Sequence, residues 1–340
     1  MRSPAPRPAP DPAGPEIVGH PSFSTDVALR IQEATDRFGA SVRVQVEGAF
    51  VLVDPQHASF FEDEASTVRR TVASLSAGPF PRPLEKPITV SILGTRDAFV
   101  RYSKDRYGID PDKPQLWAYF LRGPREIVVD GMSGVNSLNH ELIHPYIAQD
   151  WKGGARAPAF LDEGIASQFE AWTWGPDGQE HGVKNWRYAG LLQAMSSKDR
   201  GPQTRLDALF GMSDKEFVGK NEQTDEARES VQLWHYAIAR YVLQWLDSRD
   251  PRVMWRFYEE YRDHRDTDPT GVEAFTRAVG RMETIVGKRG VSTALGAIVE
   301  GSERGCASRR SARARGGADE EVLDDVGAFN ASDDLLIAAA

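Results

Sequence analysis

His140-Glu141-Leu142-Ile143-His144 carries the form H-E-x-x-H, a pattern that ties this part of the chain to a helix built around a metal. Residues four apart on an α-helix lie on one face, one turn above the other. Two imidazoles in that relation can reach one ion at Zn–N distances of about 2.0–2.1 Å. Glu141 lies about 100° around the same helix, close to such an ion without having to bind it, where a general base is useful. With seven histidines in 340 residues, chance supplies this pattern roughly once in a hundred such chains. A surface helix with two spare histidines is therefore the weaker account.

A catalytic zinc takes three protein ligands and keeps one position for water. Downstream runs Pro158-Ala159-Phe160-Leu161-Asp162-Glu163-Gly164-Ile165-Ala166-Ser167-Gln168-Phe169-Glu170. Leu161, Ile165, Phe169 and Trp172 recur at helical spacing and Pro158 suits a first turn, which predicts a second helix here. The turn-rich Asp150-Trp151-Lys152-Gly153-Gly154-Ala155 lets that helix fold back on the first. Glu163 follows His144 with eighteen residues between them and can then face the histidine pair. Gly164 costs about 1 kcal/mol against Ala inside a helix, so it predicts a close approach of these two helices.

H-E-x-x-H followed after eighteen residues by Glu163, within Leu161-Asp162-Glu163-Gly164-Ile165-Ala166, resembles the gluzincins. These are the aminopeptidase N-like zinc metallopeptidases, whose second helix reads Leu-Asn-Glu-Gly-Phe-Ala. Over roughly residues 40–285 the chain is similar to the shorter bacterial peptidase MA-like domains. Those domains place a strand–helix–strand unit before the zinc helix and a helical lobe after it. The resemblance implies a zincin-like fold, one Zn²⁺ per chain, His140, His144 and Glu163 as its ligands, and Glu141 as general base. It implies a peptide or protein substrate, hydrolysed by a metal-activated water.

The stretch Trp234-His235-Tyr236-Ala237-Ile238-Ala239-Arg240-Tyr241 is similar to the family's late helix, whose leading Tyr points at the active site. That likeness makes Tyr236 the donor to a developing oxyanion, a role open to a neutral phenol. Read without it, Trp234, Tyr236, Tyr241 and Trp245 are an aromatic stripe in a helical core. His235 is an alternative donor, but adjacent helical residues point about 100° apart, so one of the two serves.

Three departures from the family pattern stand out. Pro145 follows His144, removes one backbone donor, and predicts that the helix bends just past its second histidine. Asp162 replaces the aminopeptidase Asn. Its place near a helix start favours an exposed carboxylate over an acceptor for a ligand histidine. The Gly-x-Met-Glu-Asn stretch that holds a substrate amine is missing. In its place Gln115–Leu121 and Arg125–Asp130 read as a hairpin turning at Arg122-Gly123-Pro124, whose edge can pair with an extended peptide. These features point away from a dedicated aminopeptidase and leave endo- and exopeptidase open. Two alternatives stay beside the peptidase: a non-catalytic binding or scaffold domain of this fold, and a zinc hydrolase of some other amide.

The remaining sequence frames this site. A chain of 340 residues, 40% hydrophobic, can bury a large core, and its net charge of −9 argues against nucleic acid as a partner. The single Cys306 excludes an internal disulfide. No apolar run is long enough for a membrane span and no signal peptide is visible, so a cytoplasmic location is the default, with secretion open if the start is truncated. Nothing selects an oligomeric state. Six prolines in the first fifteen residues predict a disordered tail over 1–22. The metallopeptidase-like domain is expected over 23–300, with an α/β part to 135 and a helical part after it. The Arg-rich then acidic stretch at 301–340 reads as a flexible tail. Strands are expected at 42–46, 50–53 and 87–93, with helices at 58–75 and from Thr95. From Ser137 onward the reading is nearly all helical, with helices expected at 185–196, 226–248, 252–264 and 270–280. His20, His57, His181 and His264 have no ligand-like partners in sequence. The order is α+β: a small mixed sheet packed on the helix of His140 and His144, then a helical lobe.

Overall fold

The alternation of valines at 42–46 produces a strand, and the computed structural model places it at the edge of a five-stranded mixed sheet. The structure describes residues 21–112, 116–151, 156–174, 180–196 and 206–280. The chain opens with α1 (Pro21–Phe38), then β1 (Arg43–Glu47), β2 (Phe50–Asp54), α2 (Phe61–Ala77), β3 (Ile88–Leu93), α3 (Arg96–Tyr107), β4 (Ala118–Leu121) and β5 (Glu126–Asp130). The strand order is β1-β2-β3-β5-β4. The central three strands run parallel, and β1 and β4 are antiparallel on the two edges.

Period-two alternation assigns the two faces. Phe50, Leu52, Val90, Ile92, Ala118, Ile127 and Val129 point to one side, where Phe61, Val68 and Leu75 of α2 cover them. Val51 and Val53 point to the other side, against Ala34 and its neighbours on α1, and Tyr119, Leu121 and Val128 meet Ala98 and Phe99 of α3. Each fully buried Leu, Ile, Val or Phe here contributes about 1.5–3 kcal/mol relative to exposure. Thr95 caps α3 by accepting from the Ala98 N–H at 3.2 Å, and Gly108, at φ 67°, ends it in the left-handed conformation that glycine adopts without strain. Buried Glu126 links both outer helices to the sheet, accepting from Ser91 and Tyr102 at 2.6 Å and from Arg37 at 3.3 Å.

After β5 comes α4 (Val135–Asp150), the helix of the H-E-x-x-H stretch, lying under the β4–β5 hairpin and against α2. Every side chain from Leu138 to Ile147 is buried. A helix buried all round must satisfy its polar groups internally. Asn139 does so in part by accepting from Thr71 of α2 at 2.8 Å. The helix continues past the expected bend site: α4 carries Pro145 internally and runs on to Asp150. The lost N–H is one backbone donor, and Tyr146 and Ile147, buried in the core on either side of the next turn, hold the helix together beyond it.

The second half is built on α5 (Ala159–Ala166), α6 (Arg187–Ser196), α7 (Leu206–Gly211), α8 (Asp214–Phe217), α9 (Asp225–Arg249), α10 (Pro251–His264) and α11 (Val272–Ala278). Thr224 caps α9, and Asp250 caps α10 ahead of Pro251 in its first turn. The molecule is thus α+β, and the sheet face and these helices share one continuous core. Among the described residues no helix is long and apolar enough to cross a membrane.

Three expectations need correction. The segment read as one helix through Trp172 stops at Ala166. Ser167 Oγ and Gln168 Nε2 both donate to the Gly164 carbonyl at 2.9 Å, and the chain tightens into a 3-10 turn over Ser167–Phe169. Trp172–Trp174 then pairs antiparallel with Glu180–Gly182 as a β6–β7 hairpin inside the half expected to be nearly all helical. Aromatic and β-branched residues favour that outcome. The N-terminal tail expected over 1–22 gives way by Pro21, where α1 begins. Residues 1–20 and the tail expected at 301–340 lie outside the described residues.

Gly164 also has a different neighbour from the one expected. A Cβ there would lie 2.8 Å from Leu243 Cδ1 and 3.2 Å from the Ala239 carbonyl oxygen, both on α9. The glycine permits α5 to seat on α9, not on α4.

Candidate metal centre

Two helices bring the expected ligands together. From α4, His140 and His144 project from one face, their ring centroids 5.0 Å apart. One ring nitrogen of each and one oxygen of Glu141 lie within 4.8 Å of one another, all buried. From α5, Glu163 places Oε2 at 3.1 Å from His140 Nε2 and 3.9 Å from His144 Nε2. Two atoms bound to one tetrahedral zinc at 2.0–2.1 Å are separated by about 3.3 Å. The Glu163 oxygen therefore sits at ligand-to-ligand spacing from His140, and both it and Glu141 Oε2 stand 3.9 Å from His144 Nε2. Both carboxylates thus border the histidine pair, and the buried His140-Glu141-His144 group could itself hold a metal.

The far side of each imidazole is held by another carboxylate. His140 Nδ1–H donates to Glu170 Oε1 at 2.9 Å and His144 Nδ1–H to Asp162 Oδ1 at 2.7 Å. An ionised carboxylate only accepts, so each ring carries a proton on Nδ1 and presents Nε2 to the centre, where His140 Nε2–H donates to Glu163 Oε2 at 3.1 Å and a bound cation would take the place of that proton. Carboxylate–histidine pairs of this kind orient metal ligands and raise their basicity. Asp162, read from sequence as an exposed carboxylate, is instead this partner, because α5 lies across α4. Its side chain is 17% exposed.

Glu170 is gripped in turn. Arg187 Nε lies 2.8 Å from Oε2 and 3.1 Å from Oε1, Nη2 lies 2.6 Å from Oε1, and Asn185 Nδ2 donates to Oε2 at 2.9 Å. Neither Glu170 nor Arg187 was among the sequence candidates. Glu170 carried a usable signal, an acidic residue seven positions after Glu163 in an apolar run. Arg187 carried none, since only the folded hairpin and first turn of α6 bring it back.

Electrostatics follow from this crowding. Burial opposes a charged ring at His140, but Glu163, Glu170 and Glu141 outweigh it and hold its pKa up to about 10. At His144 burial is likewise outweighed, chiefly by Asp162 and Glu163, with a pKa of about 9. Burial raises Glu141, the two histidines opposing it. Burial would also raise Glu170, yet Arg187 and His140 hold its carboxyl well below the usual range. Four carboxylates surround the two imidazoles, with Arg187 and Arg122 on the outer side, so a divalent cation would take the place of the positive charge that the protonated rings supply. His144 Nε2 and Glu141 Oε2 are buried without a hydrogen-bond partner. Both atoms face the position a metal and its water need, so the residues fit the group the sequence implies.

Tyr236 is 1% exposed on α9, its ring 5.0 Å from that of Phe217 and 5.0 Å from the Arg187 guanidinium carbon. This is the packing of a core aromatic that borders the Glu170–Arg187 pair. His235 turns toward α8, donating to the Phe217 carbonyl at 2.8 Å. His181 pairs with Asp247 at 3.0 Å and His57 bonds the Ser41 carbonyl at 2.7 Å, both apart from the metal centre, and His20 lies outside the described residues. Cavities of about 380 and 450 Å³ open beside α10, and neither is lined by His140, Glu141, His144 or Glu163. Comparison of the sequence with models of known protein families and with curated proteins gave no match.

Proposed function

We propose that the chain is a zinc-dependent peptidase of gluzincin type. The observation that carries this reading is Glu163 Oε2 at 3.1 and 3.9 Å from two Nε2 atoms, with Glu141 Oε2 buried beside them and accepting no hydrogen bond. His140, His144 and Glu163 hold the ion. Once bound, zinc supplies Lewis acidity toward a carbonyl and lowers the pKa of water toward about 7. Glu141 takes the proton of the attacking water and passes it to the leaving amine. Asp162 and Glu170 keep both rings in the ligating tautomer. Tyr236 is the proposed donor to the developing oxyanion, a role that rests on resemblance to the family's late helix. The free edge of β4, next to α4, offers backbone groups to an extended peptide.

A second reading is favoured by burial. His140, Glu141, His144 and Glu163 are only 3–5% exposed, as suits a structural metal in a non-catalytic domain. Metal analysis with a peptide-library cleavage assay, with and without chelator, separates the two. Glu141→Gln is expected to keep one zinc and lose hydrolysis, and His140→Ala or Glu163→Ala to lose stoichiometric zinc. Hydrolysis by Glu141→Gln would refute the base. Zinc without cleavage in the wild type would favour the structural reading.

A further inference from the structure

The carboxylates behind the two histidines are supported very unequally. Glu170, 8% exposed, meets the Arg187 fork at 2.6–3.1 Å and Asn185 at 2.9 Å. Arg187 is itself 4% exposed, its guanidinium carbon 4.2 Å from the Trp186 ring on one contact and 5.0 Å from Tyr236 on another. Asp162 is 17% exposed and its cationic neighbour, Arg122 of the β4–β5 turn, stands 3.7 Å away, beyond hydrogen-bond distance. A two-point fork fixes the plane of a carboxylate as well as its position, which a point charge does not. With the plane of Glu170 fixed, Oε1 is fixed, and so is the direction of His140 Nδ1–H.

We infer that Arg187 is a positioning residue of the metal centre: acting through Glu170, it makes His140 the rigid ligand and leaves His144, backed by Asp162 and Arg122, the compliant one. This rests on the metal-site reading above. It adds that metal affinity is set from α6, a helix that carries no ligand. An Arg187 that served only as a core ion pair would matter for stability and not for the ion.

The test uses the full chain and zinc alone, with affinity read by chelator competition and folding read by circular dichroism of the metal-free proteins. Arg187→Met and Glu170→Gln are each expected to weaken zinc by about 10- to 100-fold, and the double variant to be no weaker than Glu170→Gln, since both remove one device. Arg122→Met is expected to cost at most about fivefold, as a half-exposed pair does. Arg187→Lys keeps the charge and the volume, so it carries the test if Arg187→Met does not fold. It is expected to weaken zinc and to shift the visible spectrum of the cobalt-substituted protein. Zinc affinity of folded Arg187→Lys and Glu170→Gln within about twofold of wild type would overturn the inference, as would an equal loss in Arg122→Met. A wild-type chain that binds no zinc would instead remove the metal-site reading beneath it.

Discussion

Buried carboxylates differ in what surrounds them, and Glu64 is the opposite of Glu170. It sits in the first turn of α2, 1% exposed, with neither oxygen hydrogen-bonded. Burial, helped by Asp54 and Asp63, pushes its pKa up to about 8. The folded chain therefore holds this proton more tightly than the unfolded chain, whose Glu titrates near 4.3. The sign is set: stability falls as pH rises from about 4.5 to about 8 and levels above that. Glu64→Gln, neutral at every pH, is expected to melt above wild type at pH 9 and close to it at pH 4.5. A melting difference that does not change with pH would remove Glu64 from this role. The contrast also shows what a sequence can carry at this scale. His140, Glu141 and His144 were legible because helix periodicity alone puts them together. Glu163 needed one further assumption, that the next helix folds back. Glu170 and Arg187 meet only through a hairpin and a later helix, so no local spacing announces them.

Among the elements, α5 carries Asp162 and Glu163 in eight residues and completes the site begun on α4. Its seating is set by Gly164 against α9, where a Cβ would lie 2.8 Å from Leu243 Cδ1 and 3.2 Å from a backbone oxygen. Gly164→Ala gains about 1 kcal/mol of helix propensity. Overpacking against a carbonyl that cannot rotate away costs about 1–3 kcal/mol. The expected result is a lower melting temperature with weaker zinc binding, because Glu163 is the adjacent residue. A higher melting temperature would mean that α5 and α9 are not in close contact. The same stretch shows where element reading breaks down. Trp172 extended the apolar spacing of Leu161, Ile165 and Phe169 by one more turn, and the helical period concealed a strand. Gly175-Pro176-Asp177-Gly178, a turn-type sequence, was the competing signal. At Pro145 the helix carries on to Asp150, because burial of α4 outweighs one missing backbone donor. The sheet was easier to read, because its valines and isoleucines alternate strictly between two covered faces.

For the molecule as a whole, the proposed ligands sit on two helices that touch each other and have different further neighbours. His140 and His144 ride on α4, which lies with α2 and the β4–β5 hairpin, while Glu163 rides on α5, which lies with α9. A bound ion would tie the sheet half to the helical half at their shared boundary. One core runs across that boundary, so chelation is expected to lower stability without unfolding the chain. Zinc at a hundred times its dissociation constant adds about 2.7 kcal/mol to a state that alone binds it. With an unfolding entropy of about 2.1 cal/mol/K per residue, a chain of 340 residues moves its melting temperature by about 1.4 °C per kcal/mol, so the expected rise is roughly 4 °C. The variants sharpen the comparison. His140→Ala and Glu163→Ala are expected to lose the rise, and Glu141→Gln to keep it, since Glu141 stands beside the ion without holding it. A zinc-dependent rise that survives Glu163→Ala but vanishes in Glu141→Gln would exchange the roles of the two carboxylates, and with them the chemistry proposed for the site.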